Sequence, residues 1–474
     1  MGYVELRAHT AFSFGDGSAS PEALVAKAAS LGYHSLGITD SADLGGIVRF
    51  TLEARRQNIK PIIGAELNVD GFPAAFIARN SEGYRNLAGL VTRSRVGNLA
   101  SWRKGDGRKT RGRPNVSWEQ VAVRSAGLQA LTGPASGEIA ARLCAGDYRG
   151  AEETLARWRE AFGDRLSIEV QLHHSSGGES ALASALIELA ERNGVPWVIC
   201  QEPRYIDNES RLVHDVLTAL RYNTTIDDAL ARGVLHPNGE WRLNSPDEMR
   251  ERWAGRQKGL EESERIAAEC DFSLAWVRPP LPDFPVPERH DEDSFLREKV
   301  FEGARERWGE VGDKQAAQLE HELRVIRNLG FAGFFLVMWD AVHFARRNGI
   351  LCQGRGSAAN SAVAYCLAVT AVDPVKHGLL FERFLSEIRV DGQTEAPDID
   401  VDIEHDRREE VLDYVYGNYD RAHAAITCIV QTYRAPNALR DSMRAFGYPI
   451  ELANTLSKRM HWQDPIAGAA YIKE

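Results

Sequence analysis

The chain has 474 residues, of which 43% are apolar and 26% are charged, a composition ordinary for a globular protein of two or three domains. Its net charge of −10 and pI of about 5.8 exclude a protein that holds nucleic acid by overall positive charge. No apolar run approaches the roughly 20 residues of a membrane span, and we expect no signal peptide. The scattered cysteines contain no Cys-x-x-Cys pair, which argues against a disulfide framework or zinc ribbon and predicts the reducing cytoplasm.

Short apolar strands and amphipathic helices alternate through the first part of the chain. The patterns predict, in order, a strand at 3–8, a helix at 21–31, a strand at 35–39, a helix at 47–58 and a strand at 61–69. The alternation returns with a strand at 166–173, a helix at 179–193 and a strand at 196–200. This order favours an α/β fold with a parallel sheet or barrel, in a domain that ends near residue 275.

A proline-rich segment marks the clearest domain boundary. Residues 277–290 contain five prolines, which cannot donate backbone hydrogen bonds, so we expect an extended connector there. Helical periodicity follows to about residue 348, with the expected core residues Phe334, Phe335, Val337 and Trp339. Beyond it the sequence predicts a glycine-rich turn at 354–356, a helix at 358–367, a strand at 398–403, a helix at 406–416 and a helical segment after 433.

Three aspartates, Asp398, Asp400 and Asp402, alternate with β-branched residues in the predicted strand. Side chains two residues apart share a face of a strand, so the aspartates should point one way while the β-branched residues face a core. Like charges along one face repel, and a divalent cation removes that conflict. Two carboxylates and a triphosphate make a typical Mg²⁺ site. The alternative is an edge strand whose outer face is solvated; a calcium loop is excluded because its glycine and closing glutamate are missing.

The glycine-rich turn at 354–356 runs directly into the predicted helix at 358–367. Backbone N–H groups at a helix start suit a phosphate, and Arg355 and Ser357 add a charge and a hydrogen-bond donor. The same residues also suit a plain helix cap, so the turn alone leaves both interpretations open. It is not a P-loop, because the Gly-x-x-x-x-Gly-Lys-Ser/Thr spacing is missing.

A cluster of basic residues lies in a glycine-containing stretch of the first domain. Its members are Arg103, Lys104, Arg108, Lys109, Arg111 and Arg113. Two interpretations stay open for this cluster: a solvated loop, which we favour, and a local contact to nucleic acid.

Three motifs resemble, in order, the palm domain of bacterial C-family DNA polymerases, the alpha subunits of polymerase III and their relatives. The motifs are GRGSAANS at 354–361, LFERF at 380–384 and PDIDVD at 397–402. Within that family, the segments CQGRGSAANS, EHDRREEV and TYR look most like the error-prone, damage-inducible branch. The resemblance spans essentially the whole chain and implies a mixed α+β palm at 276–432, followed by the start of a helical thumb at 433–474.

The resemblance also implies roles for the acidic residues. Asp400 and Asp402 would be the catalytic pair that binds two Mg²⁺ ions, with Asp398 less central. The third catalytic aspartate of the family has no match up to residue 474. We therefore expect a fragment that is inactive by itself.

Contacts to the incoming triphosphate are implied for residues of the glycine-rich turn and for a nearby arginine. These are Arg355, Gly356, Ser357 and Arg383. Arg389 is a further candidate, although an ion pair is an equal alternative for both Arg383 and Arg389.

The first domain, residues 1–275, resembles the polymerase and histidinol phosphatase (PHP) domain, a distorted β/α barrel whose active members hydrolyse phosphoesters with a metal cluster. Positions that match the ligand set are His9, Asp16, Glu66 and His173. Positions that depart from it are Arg7, Ser41, Glu202 and Arg204. Because Arg7 would place a positive charge beside the metals, we expect a metal-free structural scaffold.

Together the resemblances imply an error-prone DNA-directed DNA polymerase. Its substrates would be primer–template DNA and dNTPs, its cofactor Mg²⁺, and its role translesion synthesis in the cytoplasm. A sliding clamp and damage-response mutagenesis proteins are the implied partners, with no membrane. The alternatives are a replicative polymerase III alpha subunit, a phosphoesterase built on the first domain, and a non-catalytic assembly module.

Overall fold

The structure is a computed structural model that describes residues 2–96, 114–175, 177–276, 281–385, 398–427 and 429–459. The chain divides into two compact units, Met1–Val277 with Thr432–Glu474, and Arg278–Gln431. The sequence-based division into domains 1–275, 276–432 and 433–474 stays a prediction. The basic cluster at 103–113 and Arg389 lie outside the described residues.

A curled six-stranded sheet forms the centre of the first unit. Its strands are β1 (Ser35–Ile38), β2 (Lys60–Val69), β3 (Phe72–Ala78), β4 (Leu128–Leu131), β5 (Leu166–Val170) and β6 (Trp197–Ile199). They lie in the order β1 to β6, and neighbours are parallel except at β3, which is antiparallel to both β2 and β4. The predicted α/β fold class is confirmed, with a mixed sheet instead of a fully parallel one.

Helices pack around this sheet and bury its apolar side chains. They are α1 (Pro21–Ser30), α2 (Ile47–Arg56), α3 (Ser81–Val96), α4 (Trp118–Ala122), α5 (Glu138–Cys144), α6 (Tyr148–Phe162), α7 (Glu179–Asn193), α8 (Arg211–Arg221), α9 (Ile226–Ala231), α10 (Pro246–Arg252) and α11 (Gln257–Glu269), with 3-10 turns at Gly163–Arg165 and Leu274–Trp276. The helices predicted at 21–31, 47–58 and 179–193 are confirmed as α1, α2 and α7. Helix α1 begins where Pro21 follows Ser20, whose side chain accepts the N–H of Ala23.

The segment at 3–8 was expected to be a strand, and this prediction is wrong. The segment is extended, but its bridge to the sheet within the described residues is the single pair Ala8–Ile38. The N–H of Arg7 donates at 2.8 Å to the side chain of Glu5 instead of to a neighbouring strand. A backbone donor satisfied by a side chain interrupts the strand ladder at the position of Arg7.

Two helices near the end of the described chain belong to the same unit. They are α18 (Ala435–Ala445) and α19 (Ile450–Arg459). Helix α18 packs against α8, and its Ala445 is buried with Ala219 and Ala229. The helical segment predicted after 433 is confirmed over these two helices.

The second unit consists of packed helices and a two-stranded sheet. Its elements are α12 (Glu292–Trp308), α13 (Asp313–Leu329), α14 (Ala332–Arg347), β7 (Cys352–Gly354), α15 (Ala362–Cys366), α16 (Pro374–His377), β8 (Val401–Ile403) and α17 (Arg408–His423), with 3-10 turns at Gly356–Asn360, Phe381–Arg383 and His405–Arg407. Strands β7 and β8 are antiparallel. Of the predicted core residues, Phe335 is buried, whereas Phe334, Val337 and Trp339 are half-buried.

Helix α14 connects the core of this unit to α17. Asp340 accepts hydrogen bonds of 2.8 Å from the hydroxyls of both Tyr414 and Tyr419, and Phe344 stacks on Tyr414 at 3.9 Å.

Among the described residues no single helix is long and apolar enough to cross a membrane, although α13 and α14 meet that test together as a pair bent by 116°.

Gly303 allows α12 to pass unusually close to α15. A Cβ atom at Gly303 would lie 1.9 Å from the carbonyl oxygen of Cys366. We expect Gly303→Ala to lower the free energy of unfolding of this unit by about 1–3 kcal/mol, because the backbone of α15 must move. Urea unfolding measures the loss.

The matched control for this substitution is Gly417→Ala in α17. A Cβ atom there meets no heavy atom within 4 Å. Since alanine favours a helix over glycine by up to about 1 kcal/mol, this variant should be as stable as the parent or more stable. Equal stability of the two variants would contradict the close approach at Gly303.

Candidate active site

The carboxylate strand is shorter than predicted but keeps its alternation. Strand β8 covers Val401–Ile403 because its partner β7 has only three residues, and the N–H of Arg355 adds one further contact to the carbonyl of Asp400 at 2.8 Å. All three aspartates, Asp398, Asp400 and Asp402, are exposed, whereas the residues between them are half-buried. The second unit therefore presents a face of carboxylates to solvent.

Arg355 lies directly on this face. Its Nη1 is 3.1 and 3.2 Å from the two carboxylate oxygens of Asp402, and the two side chains are 61% and 63% exposed. An ion pair with that exposure contributes about 0–1 kcal/mol, so a stronger ligand can separate it. A cavity of about 570 Å³ lies beside Asp402, with Arg346, Gln353 and Glu404 in its wall. The carboxylate is thus reachable from solvent.

The glycine-rich turn depends on glycine at two positions. Gly356 has a φ of +63°, a left-handed conformation that side chains rarely adopt. Gly354 is buried, and a Cβ atom there would lie 2.7 Å from the carbonyl oxygen of Val369. The turn continues as the 3-10 helix Gly356–Asn360, in which Ser357 is exposed. Gly356 and Ser357 are therefore open to a ligand.

The helix after this turn begins at Ala362, so the prediction of a helix from residue 358 is wrong. Ser361 has extended backbone angles, and its hydroxyl caps the N–H of Ala364 at 3.0 Å. The N–H groups of Ala362 and Val363 donate to the carboxylate of Glu322 at 2.9 and 3.0 Å. The N–H groups that were expected to bind phosphate at the helix start are thus already occupied. The turn itself remains the candidate for the predicted phosphate contact.

Arg383 ends the short 3-10 helix Phe381–Arg383. The side chain of Phe381 is buried in the core of the second unit, whereas Arg383 is exposed. This placement leaves the guanidinium of Arg383 open to a phosphate, and its role stays a prediction.

The first unit contains a second cluster of ionisable groups, centred on Arg7. The guanidinium of Arg7 is fully buried; it donates to Glu169 and Glu202 at 2.6 Å each and also to Glu66. Burial opposes its charge, but Glu169, Glu202 and Glu66 outweigh burial and raise the pKa of Arg7 well above its usual value. One cation is therefore shared by three carboxylates that come from distant parts of the chain.

Arg204 adds a second guanidinium to this cluster. It contacts Asp16, lies 3.0 Å from Glu202 and donates to Nδ1 of His9 at 2.8 Å. Burial, followed by Arg204 and Arg7, lowers the pKa of His9 well below its usual value. His9 is therefore neutral at physiological pH and accepts a hydrogen bond from Arg204.

Comparison with known protein families gives two matches in this chain. Residues 5–173 match the PHP domain, and residues 294–474 match the bacterial DNA polymerase III alpha NTPase domain. The chain joins a PHP domain to a domain of the bacterial DNA polymerase III alpha family.

Curated relatives of this chain are named error-prone DNA polymerase. The protein of Mycobacterium tuberculosis is 40% identical over 478 residues, which cover 98% of this chain and 42% of the relative. That of Pseudomonas fluorescens is 38% identical, covering 100% and 43%. The chain thus spans less than half the length of these relatives.

Solved structures resemble the chain only weakly. An amidohydrolase from Chromobacterium violaceum is 17% identical, covering 42% of this chain and 87% of that one, at a TM-score of 0.32. A TM-score this low supports no conclusion about function.

The PHP cluster does not fit a metal ion. His9, Glu66 and Glu202 could each offer one ligand atom within 4.8 Å of the others. However, the oxygens of Glu66 and Glu202 that lie 3.8 Å from Nε2 of His9 already accept hydrogen bonds from Arg7. A metal there would face two fixed guanidinium charges, those of Arg7 and Arg204, which disfavours binding.

His173, the remaining predicted ligand, forms packing contacts of its own. Its Nε2 is 2.7 Å from the carbonyl oxygen of Gln201, and its Nδ1 is 3.4 Å from Glu179. The ring stacks on Trp241 at 4.1 Å, and His236 stacks on Trp241 at 3.9 Å. The structure thus brings His9, Asp16 and Glu66 around the two arginines and gives His173 a place in an aromatic stack.

Sequence reasoning missed two buried glutamates, Glu169 and Glu322. Glu169 lies in β5, where every residue is buried, so an acidic residue inside a predicted apolar strand was a usable signal. Glu322 lies in α13 among many charged residues, and nothing in the local sequence separates it from a solvated helix face. Its burial depends on the tertiary packing of α13 on α15.

The stacked His236 makes the stability of the first unit pH-dependent. Burial, followed by the charges of His214 and Arg204, lowers the pKa of His236 to about 2. Because the unfolded chain then binds a proton that the folded chain does not, stability is complete above about pH 6.5 and falls toward acid pH. We expect His236 to account for a loss of about 2 kcal/mol between pH 7 and pH 5.

His236→Phe tests this dependence, because phenylalanine keeps the stack and cannot titrate. Urea unfolding at both pH values should show a smaller loss than in the parent chain. His423→Phe, at an exposed position of α17, is the control and should keep the parent's profile. An equally steep loss in the His236 variant would refute the assignment to this residue.

Proposed function

We propose that the chain supplies part of the active site of an error-prone DNA-directed DNA polymerase. The observation that carries the proposal is the pairing of exposed carboxylates, Asp400 and Asp402, with an exposed glycine-rich turn through one residue, Arg355. The backbone of Arg355 binds Asp400, and its side chain binds Asp402. Family membership and the names of the relatives support the reaction class.

Asp400 and Asp402 fit Mg²⁺, because both are exposed carboxylates on the solvent face of the sheet. Bound Mg²⁺ supplies charge stabilisation and a more acidic primer hydroxyl. The reaction joins the primer 3′-hydroxyl oxygen to the α-phosphorus of a dNTP and releases pyrophosphate. In this proposal the two aspartates orient the reacting groups, and Asp398 is not required.

Gly356 and Ser357 would bind the triphosphate. The left-handed turn at Gly356 exposes backbone, and the Ser357 hydroxyl can donate to a phosphate oxygen. Arg355 would leave Asp402 and pair with the triphosphate when substrate enters, since its exposed ion pair is weak. Arg383 is a further candidate for a phosphate contact.

The properties of the whole polymerase belong to the same proposal. They are primer–template DNA and dNTPs as substrates, translesion synthesis as the role and the cytoplasm as the location. A sliding clamp and damage-response mutagenesis proteins are the proposed partners, with a thumb that begins at 433. The PHP domain would act as a metal-free scaffold, because Arg7 and Arg204 already pair with the carboxylates of Glu66, Glu202 and Asp16 that a metal would need.

Primer extension by the full natural chain tests this function. We expect Mg²⁺-dependent addition of dNTPs to a primed template, abolished by EDTA, and continued synthesis past a damaged template base. A folded chain that binds primed DNA but adds no nucleotide would contradict the polymerase proposal. Extension that always stops at the lesion would contradict only the translesion role.

A further inference from the structure

Glu322, a buried carboxylate of α13, binds the segment that follows the glycine-rich turn. Its side chain is fully buried and accepts four hydrogen bonds. The donors are the Gln318 amide at 2.8 Å, the Ser361 hydroxyl at 2.8 Å, the Ala362 N–H at 2.9 Å and the Val363 N–H at 3.0 Å. Three of these donors belong to the segment that immediately follows the turn.

The segment 354–361, which begins with the glycine-rich turn, is fixed at both ends; within it Gly356 and Ser357 are exposed, whereas Ala358 is buried. At the start, the N–H of Gly354 donates to the carbonyl of Val369 at 2.6 Å, and that of Arg355 donates to Asp400. At the end, Glu322 holds Ser361 and the first residues of α15. The exposed residues Gly356 and Ser357 lie between these two anchors.

We propose that Glu322 is a positioning residue for nucleotide binding: it holds the end of the glycine-rich turn so that Gly356 and Ser357 meet the triphosphate. This inference rests on the proposed polymerase function. The carboxyl oxygens of Glu322 also occupy the N–H groups of Ala362 and Val363 at the N-terminus of α15. A triphosphate bound at the turn therefore cannot shift onto those N–H groups.

Both oxygens of Glu322 are needed, because each accepts a backbone N–H. Oε1 accepts from Ala362 and Oε2 accepts from Val363. Glutamine has the same shape but would turn an NH₂ group toward one of these donors. Glu322→Gln therefore loosens the end of the turn while it preserves the packing volume.

The test is primer extension by the full natural chain with Glu322→Gln. We expect the KM for dNTP to rise about tenfold, the change typical for the loss of one hydrogen bond to a charged group, while the KM for primed DNA stays unchanged. A merely structural role would instead reduce the active fraction and leave the dNTP KM as it was. An unchanged dNTP KM would overturn the proposal.

Two further variants sharpen the comparison. Ser361→Ala removes one donor to Glu322 and should raise the dNTP KM in the same direction by less, which keeps the test decisive if the glutamine variant does not fold. Glu262→Gln is the matched control, a buried glutamate that accepts from the Ser167 hydroxyl at 2.6 Å in the first unit. It should leave the dNTP KM unchanged.

Hydrogen exchange of the 474-residue chain separates this proposal from the polymerase function. Amides at 356–363 should exchange faster in Glu322→Gln than in the parent, whereas those of α17 should not change. Unchanged exchange at 356–363 would overturn the positioning role even if the enzyme polymerises. A full natural chain that lacks polymerase activity would refute the proposed function, and the exchange result would then decide the anchoring role alone.

Discussion

Replacing both Asp400 and Asp402 with asparagine should lower the rate of primer extension by the full natural chain about 10³-fold or more. A metal site contributes several kcal/mol of transition-state stabilisation, and about 4 kcal/mol corresponds to a thousandfold. Asparagine keeps the volume and removes the charge of side chains that are already exposed, so the fold should be unaffected. Steady-state extension and circular dichroism measure the two effects.

The control for this pair is Asp398→Asn. Asp398 is exposed on the same face and two residues from Asp400, but family resemblance gives it a less central role. We expect its extension rate to stay within about tenfold of the parent, since it provides no essential ligand. If the double variant extends primers as fast as the Asp398 variant, the assignment of the catalytic pair is wrong.

Arg7→Met should cause the largest loss of stability among single substitutions at the PHP cluster. Methionine fills a similar space but leaves Glu66, Glu169 and Glu202 without their shared cation. Removal of one partner from a buried ion pair costs about 3–5 kcal/mol. Urea unfolding of the chain measures the difference.

The comparison variant for Arg7 is Arg149→Met. Arg149 pairs with Glu153, and these side chains are 90% and 66% exposed, so its loss should cost less than about 1 kcal/mol. EDTA should not change the unfolding midpoint of the parent chain, because in the proposed scaffold guanidinium groups hold the cluster. A strong decrease in that midpoint with EDTA would refute the metal-free scaffold.

Acid pH should reduce the loss of stability that Arg7→Met causes. Burial raises the pKa of Glu202 well above its usual value, and the charge of Arg7 opposes that rise. Without Arg7 the pKa of Glu202 rises further, so the folded variant binds a proton that the unfolded chain binds only at lower pH. The difference in free energy of unfolding between the parent and Arg7→Met should therefore become smaller as pH falls from 7 to 5.

Local patterns in the sequence predicted most elements of the fold. Helix α7 was predicted at its observed bounds, because apolar periodicity and the glycine after Asn193 define it locally. The strand predicted at 398–403 keeps its alternation, but the observed strand covers only Val401–Ile403. Strand length also depends on the partner strand, and β7 ends at Gly354, which pairs with Val401. The strand predicted at 3–8 was wrong for a similar reason, because the N–H of Arg7 donates to the side chain of Glu5 instead of to a neighbouring strand.

The candidate sites could be predicted only in part. The aspartate strand and the glycine-rich turn are contiguous motifs, so spacing alone suggested a divalent-cation site and a phosphate site, but only the family resemblance singled out Asp400 and Asp402. The partners of Arg7 lie 59, 162 and 195 residues away in sequence, and only the folded first unit brings them together. Glu322 is likewise 39 residues from Ser361. Sequence indicates which groups are reactive, whereas the groups that hold them in place come from distant contacts.

The arginine at the centre of the PHP cluster changes how the chain depends on its surroundings. A domain held together by a bound ion gains stability with the logarithm of the free ion concentration and loses it when the ion is scarce. A guanidinium that is part of the chain is present at a fixed one-to-one ratio in every molecule. If the first unit is the metal-free scaffold proposed above, it should fold equally well in metal-starved and metal-replete cells.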